Sequence, residues 1–336
     1  MKKKLTIQDI ADMAGVSKAA VSRYMNDGYI SKEKAEKIKT IIEETGYRGN
    51  FFAKRLKTKE SKLIGVVLPR IDSVTVGKLL SGIYSVMDKN GYQEMFLVSK
   101  LSIDKEIRCI KKLYQQGVDG IIVDSVGITE EHLEVIDKLD VPVIFTGQQH
   151  QAVNSIKVDD LSAGLLMGRY LRDMGHKKAI FAGVTETDIA VGIDRKNGFY
   201  KGFLTDNPEA EIKFMEVGFD FQSAYEKAPE MVKGDFKPTV IAGATDNISL
   251  GVLRYLHEKG VRVPEEISLV GFGGYAMGTI SYPALTTIEF DYKLLGQKAA
   301  LGMLELLNGD EITDHGEFTL EFIPRESVAD LCSERK

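Results

Sequence analysis

From residue 62 to residue 323 the chain alternates short apolar runs with helix-length amphipathic stretches, and that alternation narrows the fold more than any other feature. Strands are predicted over 62–69, 94–98, 120–124 and 141–145, and again over 179–183, 212–217, 239–242, 267–272, 285–288 and 318–323. Helices are predicted between them, over 76–90, 104–116, 130–139, 160–175, 194–205, 223–232, 248–259 and 293–307. Short continuous apolar runs without polar alternation belong to strands covered on both faces, which is the environment of a parallel sheet flanked by helices. The expected body is therefore α/β, with two doubly wound parallel-sheet lobes of similar size. Ligands bind such sheets beyond the carboxyl ends of the strands, so the cleft between the lobes is the natural site.

The length of 336 residues allows two or three domains, and 43% hydrophobic with 28% charged residues is the balance of a soluble globular chain. No stretch reaches the ~18 consecutive apolar residues of a membrane helix, so no membrane partner is expected. The basic start, Met1 to Lys4, leads into no apolar signal core, which points to the cytoplasm. Two cysteines, Cys109 and Cys332, show no metal-ligand spacing, so neither a disulfide scaffold nor a metal site is expected. Charge is unevenly placed. Residues 1–60 hold 14 Lys and Arg against 8 Asp and Glu, whereas the whole chain nets −5. A small basic head on an acidic body suits a nucleic-acid contact.

The head reads as three short helices. Thr6 precedes Ile7 to Ala14 as an N-cap with Asp9 in a capping-box position, and Ile7, Ile10, Ala11 and Ala14 form one apolar face. Gly15 ends this helix. Ser17 caps a second, over 18–25, with Val21 and Met25 inward and Lys18, Ala19, Ser22 and Arg23 outward. After the Asn26-Asp27-Gly28 turn, Ser31 caps a third helix to about Thr45, with Ile38, Ile41 and Ile42 as its stripe and Gly46 as its stop. A helix, a glycine turn and a helix with a small polar outer face make a helix-turn-helix.

The run Thr6-Ile7-Gln8-Asp9-Ile10-Ala11, then Ala14-Gly15-Val16-Ser17, then Val21-Ser22-Arg23 with Asn26, resembles the headpiece of the lac/gal repressor family. Tyr47 to Leu56 is similar to that family's hinge helix, with Leu56 matching the residue that wedges into the minor groove and Ala53 lying one turn earlier. The resemblance implies DNA contacts from Thr6, Ser17, Lys18, Ala19, Ser22, Arg23, Asn26 and Ser31, and from Asn50, Ala53, Lys54 and Leu56 of the hinge. Two departures stand out: Ala20 where many members have Thr, and Gly49 where many have Pro. The first removes a phosphate or methyl contact, and the second raises the cost of ordering the hinge. The expected division is a headpiece over 1–48, a hinge over 49–61 and an effector-binding and dimerisation domain over 62–336. Within the last, lobe 1 takes about 62–158 and 292–318, and lobe 2 about 159–291 and 319–330.

The body carries the resemblance onward through Gly175-His176, Arg195 with Gly198-Phe199, residues 260–268, and Pro283 to Ile288. In the family this region resembles periplasmic sugar-binding proteins. Strand ends nominate Asp72 and Ser73, Asp124 and Ser125, Gly147 and Gln148, Asp188, Thr245 and Asp246, and Gly273 to Tyr275. The resemblance adds Arg195 and Tyr292 as ligand contacts and Phe221 as a stacking aromatic. The expected effector contacts are Asp72, Ser73, Gln148, Asp188, Arg195, Phe221, Asp246, Tyr275 and Tyr292. Gly147 and Gly273 replace Asp in many sugar-binding members, which implies a roomier pocket in which Asp72 and Gln148 supply the missing acceptors. This pattern resembles the branch that regulates sucrose and related oligosaccharides.

Catalysis finds no support in the sequence. There is no HExxH, no GxSxG and no phosphate-loop glycine pattern, and His176 is expected in a dipole role at a helix C-terminus. No catalytic residue and no cofactor are expected. The expected function is a homodimeric repressor of carbohydrate-use genes, released from a palindromic operator in double-stranded DNA by a small sugar or sugar phosphate. No heptad tail follows Arg325, which favours a dimer over a tetramer. The alternative is a global catabolite regulator with a phosphorylated carrier protein as corepressor. An uptake binding protein or an enzyme is the rival of a different class.

Overall fold

The computed structural model describes residues 5–25, 28–45, 47, 60–313 and 318–332. Among the sequence-predicted positions, Asn26, Gly46, Gly49, Asn50, Ala53, Lys54 and Leu56 lie outside the described residues. The chain forms two compact units, Met1–Ser61 and Lys62–Lys336.

The first unit holds α1 (Ile7–Ala14), α2 (Lys18–Tyr24) and α3 (Lys32–Thr45). Thr6 Oγ1 accepts from Asp9 N at 3.3 Å while Thr6 N donates to the Asp9 carboxylate at 2.6 Å, a reciprocal cap that starts α1. Gly15 ends it with φ 63°, left-handed backbone that a side chain would strain. Ser17 Oγ accepts from Ala20 N at 3.2 Å and starts α2 one residue beyond the turn. Ile10, Ala11, Ala14, Val21, Ile38 and Tyr47 close over a small core. Ala20 is buried as well, so its methyl belongs to the packing of this unit.

The second unit has two sheets. The first contains β1 (Leu63–Leu68), β2 (Gln93–Val98), β3 (Gly120–Asp124), β4 (Val143–Thr146) and β5 (Asn154–Ile156), in the order β2-β1-β3-β4-β5, all parallel. Helices α4 (Val74–Met87), α5 (Ile103–Gln115) and α6 (Glu130–Ile136) connect them. Next come α7 (Asp160–Asp173) and β6 (Lys178–Gly183), and then a π-helical turn, Ile189–Arg195, that runs directly into α8 (Lys196–Leu204). The chain continues through β7 (Glu211–Glu216), α9 (Phe221–Lys233), β8 (Val240–Gly243), α10 (Asp246–Glu258), β9 (Ser268–Phe272), α11 (Ala276–Ile280) and β10 (Thr286–Phe290). It closes with α12 (Tyr292–Asn308) and β11 (Leu320–Ile323). The second sheet runs β11-β10-β9-β8-β6-β7, parallel except for β11 against β10.

Helix α12 leaves the second sheet and packs on α4, β3 and β4 of the first lobe, and β11 then returns to the second sheet. The chain therefore crosses between lobes three times. The strand interiors are fully buried, such as Val66 to Leu68 and Ile121 to Val123, as the unbroken apolar runs require. Two elements carry no clear pattern in the sequence. β5 is only three residues long and polar at one end, and α11 is a single turn and a half after a glycine pair. Helix α8 lies against α7 so closely that a Cβ on Gly198 would stand 2.1 Å from the Leu161 carbonyl oxygen. Arg195, the last residue of the π turn, immediately precedes α8.

Candidate functional site

In each sheet the first strand, β1 or β6, has its sequence neighbour on one side and the next strand on the other. The crevice at that reversal is where doubly wound sheets take ligands. An inner chamber opens there between the lobes, with about 920 Å³ of empty space, part of it open to solvent. Val126 O accepts from Ile189 N at 3.1 Å, and Lys78 meets Glu289 at 2.9 Å, so the lobes touch on either side of it.

Arg195 lies at the base of the chamber and is 2% exposed. Its Nε donates to Asp160 at 3.0 Å, a second guanidinium nitrogen donates to the same oxygen, and Nη1 donates to the Ala244 carbonyl. The Phe290 and Phe272 rings lie 4.9 and 5.2 Å from the guanidinium carbon. Burial opposes the charge, but the Asp160 carboxylate and the Tyr292 hydroxyl outweigh it and hold the guanidinium above its ordinary pKa. Tyr292 lies beside Arg195, and burial raises its own pKa. Both residues line the chamber with Ser73, Gln148, Asp188 and Tyr275. Ser73 caps α4, its Oγ accepting from Val76 N at 3.5 Å. Asp188 caps the π turn, accepting from Val191 N at 3.0 Å, and burial lifts its pKa to about 6.

Three expected contacts lie elsewhere. Asp246 is fully buried behind the wall, accepting from Tyr275 N and from Thr287 Oγ1, each at 2.6 Å. Its flanking residues Thr245 and Asn247 line the chamber instead. Phe221 is 41% exposed and lines neither recess of the cleft. Asp220 caps α9 by accepting from Ser223 N at 2.8 Å, so helical geometry begins at Phe221, and Phe219 on the extended side reaches the cleft. Asp72 is exposed and tied to Arg70 Nε at 2.8 Å, which lowers its pKa. It lines an outer recess of the cleft and not the inner chamber beside Gly147.

The extra room expected at Gly147 and Gly273 is filled. A Cβ on Gly273, where φ is +132°, would stand 2.3 Å from the Tyr275 ring, so that ring occupies the space. A Cβ on Gly147 would stand 3.4 Å from Asp124 Oδ1, so a carboxylate from the neighbouring strand sits where one at 147 would reach. Asp124 accepts from Thr146 Oγ1 at 3.0 Å. Burial first, then the charges of Glu106 and Asp188, push its pKa to about 7. Beside it, Ser125 Oγ donates to Glu106 at 2.5 Å, and His132 Nε2 faces the same Glu106 oxygen at 3.1 Å. His132 Nδ1 accepts from Thr129 N, which leaves the ring proton on Nε2. The expected dipole role of His176 does not hold. Burial pushes its pKa to about 4, so the ring is neutral and bonds to Thr239 Oγ1 at 2.9 Å.

These shifts predict a pH-dependent stability. Asp124 keeps a proton in the folded state that it has lost in the unfolded state at the same pH, so the unfolded state binds fewer protons. Resistance to urea should therefore rise as pH falls from 8 to about 6.5, with Asp188 and Asp246 adding to the rise as pH approaches their folded pKa of about 6. Below 6.5 buried neutral His176 opposes the trend. Asp124→Asn should flatten the upper part of the slope, and a parent midpoint that is constant from pH 8 to 6.5 would contradict this.

On the head, Ser17, Lys18, Ala19 and Arg23 are exposed and Ser22 is half-buried, which puts Lys18, Ala19, Ser22 and Arg23 on one outward stripe of α2. Thr6 is tied into its cap, and exposed Ser31 immediately precedes α3. Tyr29, next to the turn and 95% exposed, was not singled out in the sequence, where an aromatic beside glycine gives no sign of its exposure. Among the described residues no group of three or more His, Cys, Asp or Glu is placed to hold a metal ion, and no helix is long and apolar enough to cross a membrane.

Residues 6–50 match the family of bacterial regulatory proteins, lacI family, and residues 169–328 match a periplasmic binding protein-like domain. The sucrose operon repressor of Staphylococcus xylosus is 37% identical over 87% of this chain and 91% of its own length. Catabolite control protein A of Priestia megaterium is 30% identical over 92% and 94%. The solved structure of a lac repressor dimer bound to operator and the anti-inducer ONPF superposes with a TM-score of 0.85 at 26% identity, covering 97% of this chain and all of that one. With a basic three-helix head and a two-lobed cleft as its parts, the chain belongs to the lacI family and is a DNA-binding transcriptional repressor, not an enzyme.

Proposed function

We propose that the chain represses carbohydrate-utilisation genes, binding a palindromic operator as a homodimer, and that a neutral sugar, sucrose or a related oligosaccharide, releases it. The observation that carries the choice of effector is the charge of the inner chamber. Its two arginines are already paired, Arg195 with Asp160 and Arg70 with Asp72, while Asp124 and Asp188 add carboxyl groups from opposite lobes. A phosphate would meet acids and spent cations there. Neutral hydroxyls can donate to the carboxyls and stack on Phe219 and Tyr275. The 37% identity to a sucrose operon repressor supports the same choice. Exposed apolar side chains on both lobes, Val74 and Phe96 on the first and Met277, Ile280 and Tyr282 on the second, supply surface for self-association. Coupling requires that the sugar bind better to the lobe arrangement that does not hold DNA.

Calorimetry of the full chain against sucrose, glucose, fructose and their phosphates tests this reading. Sucrose binding, together with loss of the operator complex on its addition, is expected. Preference for a phosphorylated sugar would reject the neutral-effector reading. For the head, Arg23→Ala should cost about 1–3 kcal/mol of specific operator binding, roughly fivefold to 150-fold, through loss of a bidentate base contact. Unchanged affinity in a gel-shift titration would remove Arg23 from the interface.

A further inference from the structure

Beyond the inner chamber the cleft continues into an outer recess that nothing described so far employs. The inner chamber lies over the strands on one side of β1 and β6, and the outer recess lies over β2 and β7 on their other side. Adjacent strands stand about 4.8 Å apart, so the recess begins one strand spacing further out in both lobes at once. The two spaces share Pro69, Arg70, Leu101 and Phe219, and are therefore adjacent. Phe219 is half-buried at the junction, with the Arg70 guanidinium 5.7 Å from its ring centre. Lys100 comes to the recess from the end of β2 and Glu216 from the end of β7. Both are exposed, and neither has a side-chain partner among the described residues. A donor from one lobe and an acceptor from the other thus face one space beside an aromatic edge. That combination suits a ring with hydroxyls around its rim and an apolar face, and it suits neither a purely apolar group nor a lone anion.

We propose that the outer recess is a second glycosyl subsite, so that the effector has at least two sugar units, one in each space, linked beside Phe219. This inference rests on the reading of the cleft as a sugar site. Lys100 and Glu216 bind hydroxyls of the outer unit, and because they belong to different lobes the outer unit also helps hold the lobes together. A single sugar in the inner chamber would leave both groups in water.

The test is calorimetry of the full chain with glucose, fructose and sucrose, on the parent and on a Lys100→Ala/Glu216→Ala variant. Both changes are at exposed positions, and an unchanged urea midpoint confirms that the variant is folded. Sucrose should bind at least tenfold more tightly than either monosaccharide. The variant should lose fivefold or more of its sucrose affinity and keep the parent's affinity for whichever monosaccharide binds. If a monosaccharide binds as tightly as sucrose, or if the variant binds sucrose as the parent does, the outer subsite is wrong while the sugar reading stands. If none of the three sugars binds, the sugar reading itself fails and takes the subsite with it.

Discussion

Arg195→Ala should destabilise the larger unit by about 3–5 kcal/mol, because it leaves the Asp160 charge buried without its partner. A domain of this kind has about 5–15 kcal/mol in all, so the loss is a large fraction of its stability. The side chain also fills space between Phe272 and Phe290, and the Ala244 carbonyl loses its donor. The expected phenotype is poor accumulation and a urea midpoint far below the parent's, not a stable repressor deaf to its effector. A second change separates charge from volume. Asp160→Leu added to Arg195→Met removes both charges and keeps the space filled, and should regain most of the lost stability. An Arg195→Ala protein with the parent's midpoint would show that the pair contributes nothing and that Arg195 acts on ligand alone.

Asp246→Ala should act on the effector at second hand. Its carboxylate accepts from the Tyr275 amide and the Thr287 hydroxyl, and its removal strands two buried donors at about 1–3 kcal/mol each. The amide belongs to the segment after β9 that carries the Tyr275 ring into the inner chamber, packed over Gly273. Loosening that segment should lower sucrose affinity about tenfold or more, with operator affinity in the absence of sugar unchanged in molecules that remain folded. Asp246→Asn keeps one acceptor oxygen and should fall between alanine and the parent in both stability and affinity. Parent-like sucrose affinity in a folded Asp246→Ala protein would separate Asp246 from the placement of Tyr275.

Much of the architecture was legible because it is written in short-range pattern. A cap and the residue that answers it lie three positions apart, as in Thr6 and Asp9, and a left-handed stop needs only Gly15. An apolar run such as Ile64 to Leu68 declares a strand covered on both faces whatever its neighbours are. Strand ends then mark the rim of the cleft, so Ser73, Gln148 and Asp188 could be picked out before their surroundings were known. The positively charged head and its outward stripe of α2 follow from helical periodicity and charge count in the same way.

What the local pattern could not carry is partnership and volume. Asp160 lies 35 residues before the arginine it holds, and Thr287 lies 41 residues after Asp246, so the sequence names each group without its partner. A strand-end carboxylate looks the same whether it faces ligand or is consumed by a buried hydroxyl and amide, and only packing distinguishes the two. Phe219 and Phe221 differ by two positions, and the cap at Asp220 decides which one reaches the cleft. At Gly273 and Gly147 a missing side chain suggested space. The space was taken by Tyr275 and approached by Asp124, from elements whose position depends on how the sheets stack. Local propensity is settled within a turn or a strand. The occupancy of a cavity depends on every element around it, and so it was decided only when the two lobes closed over their shared core.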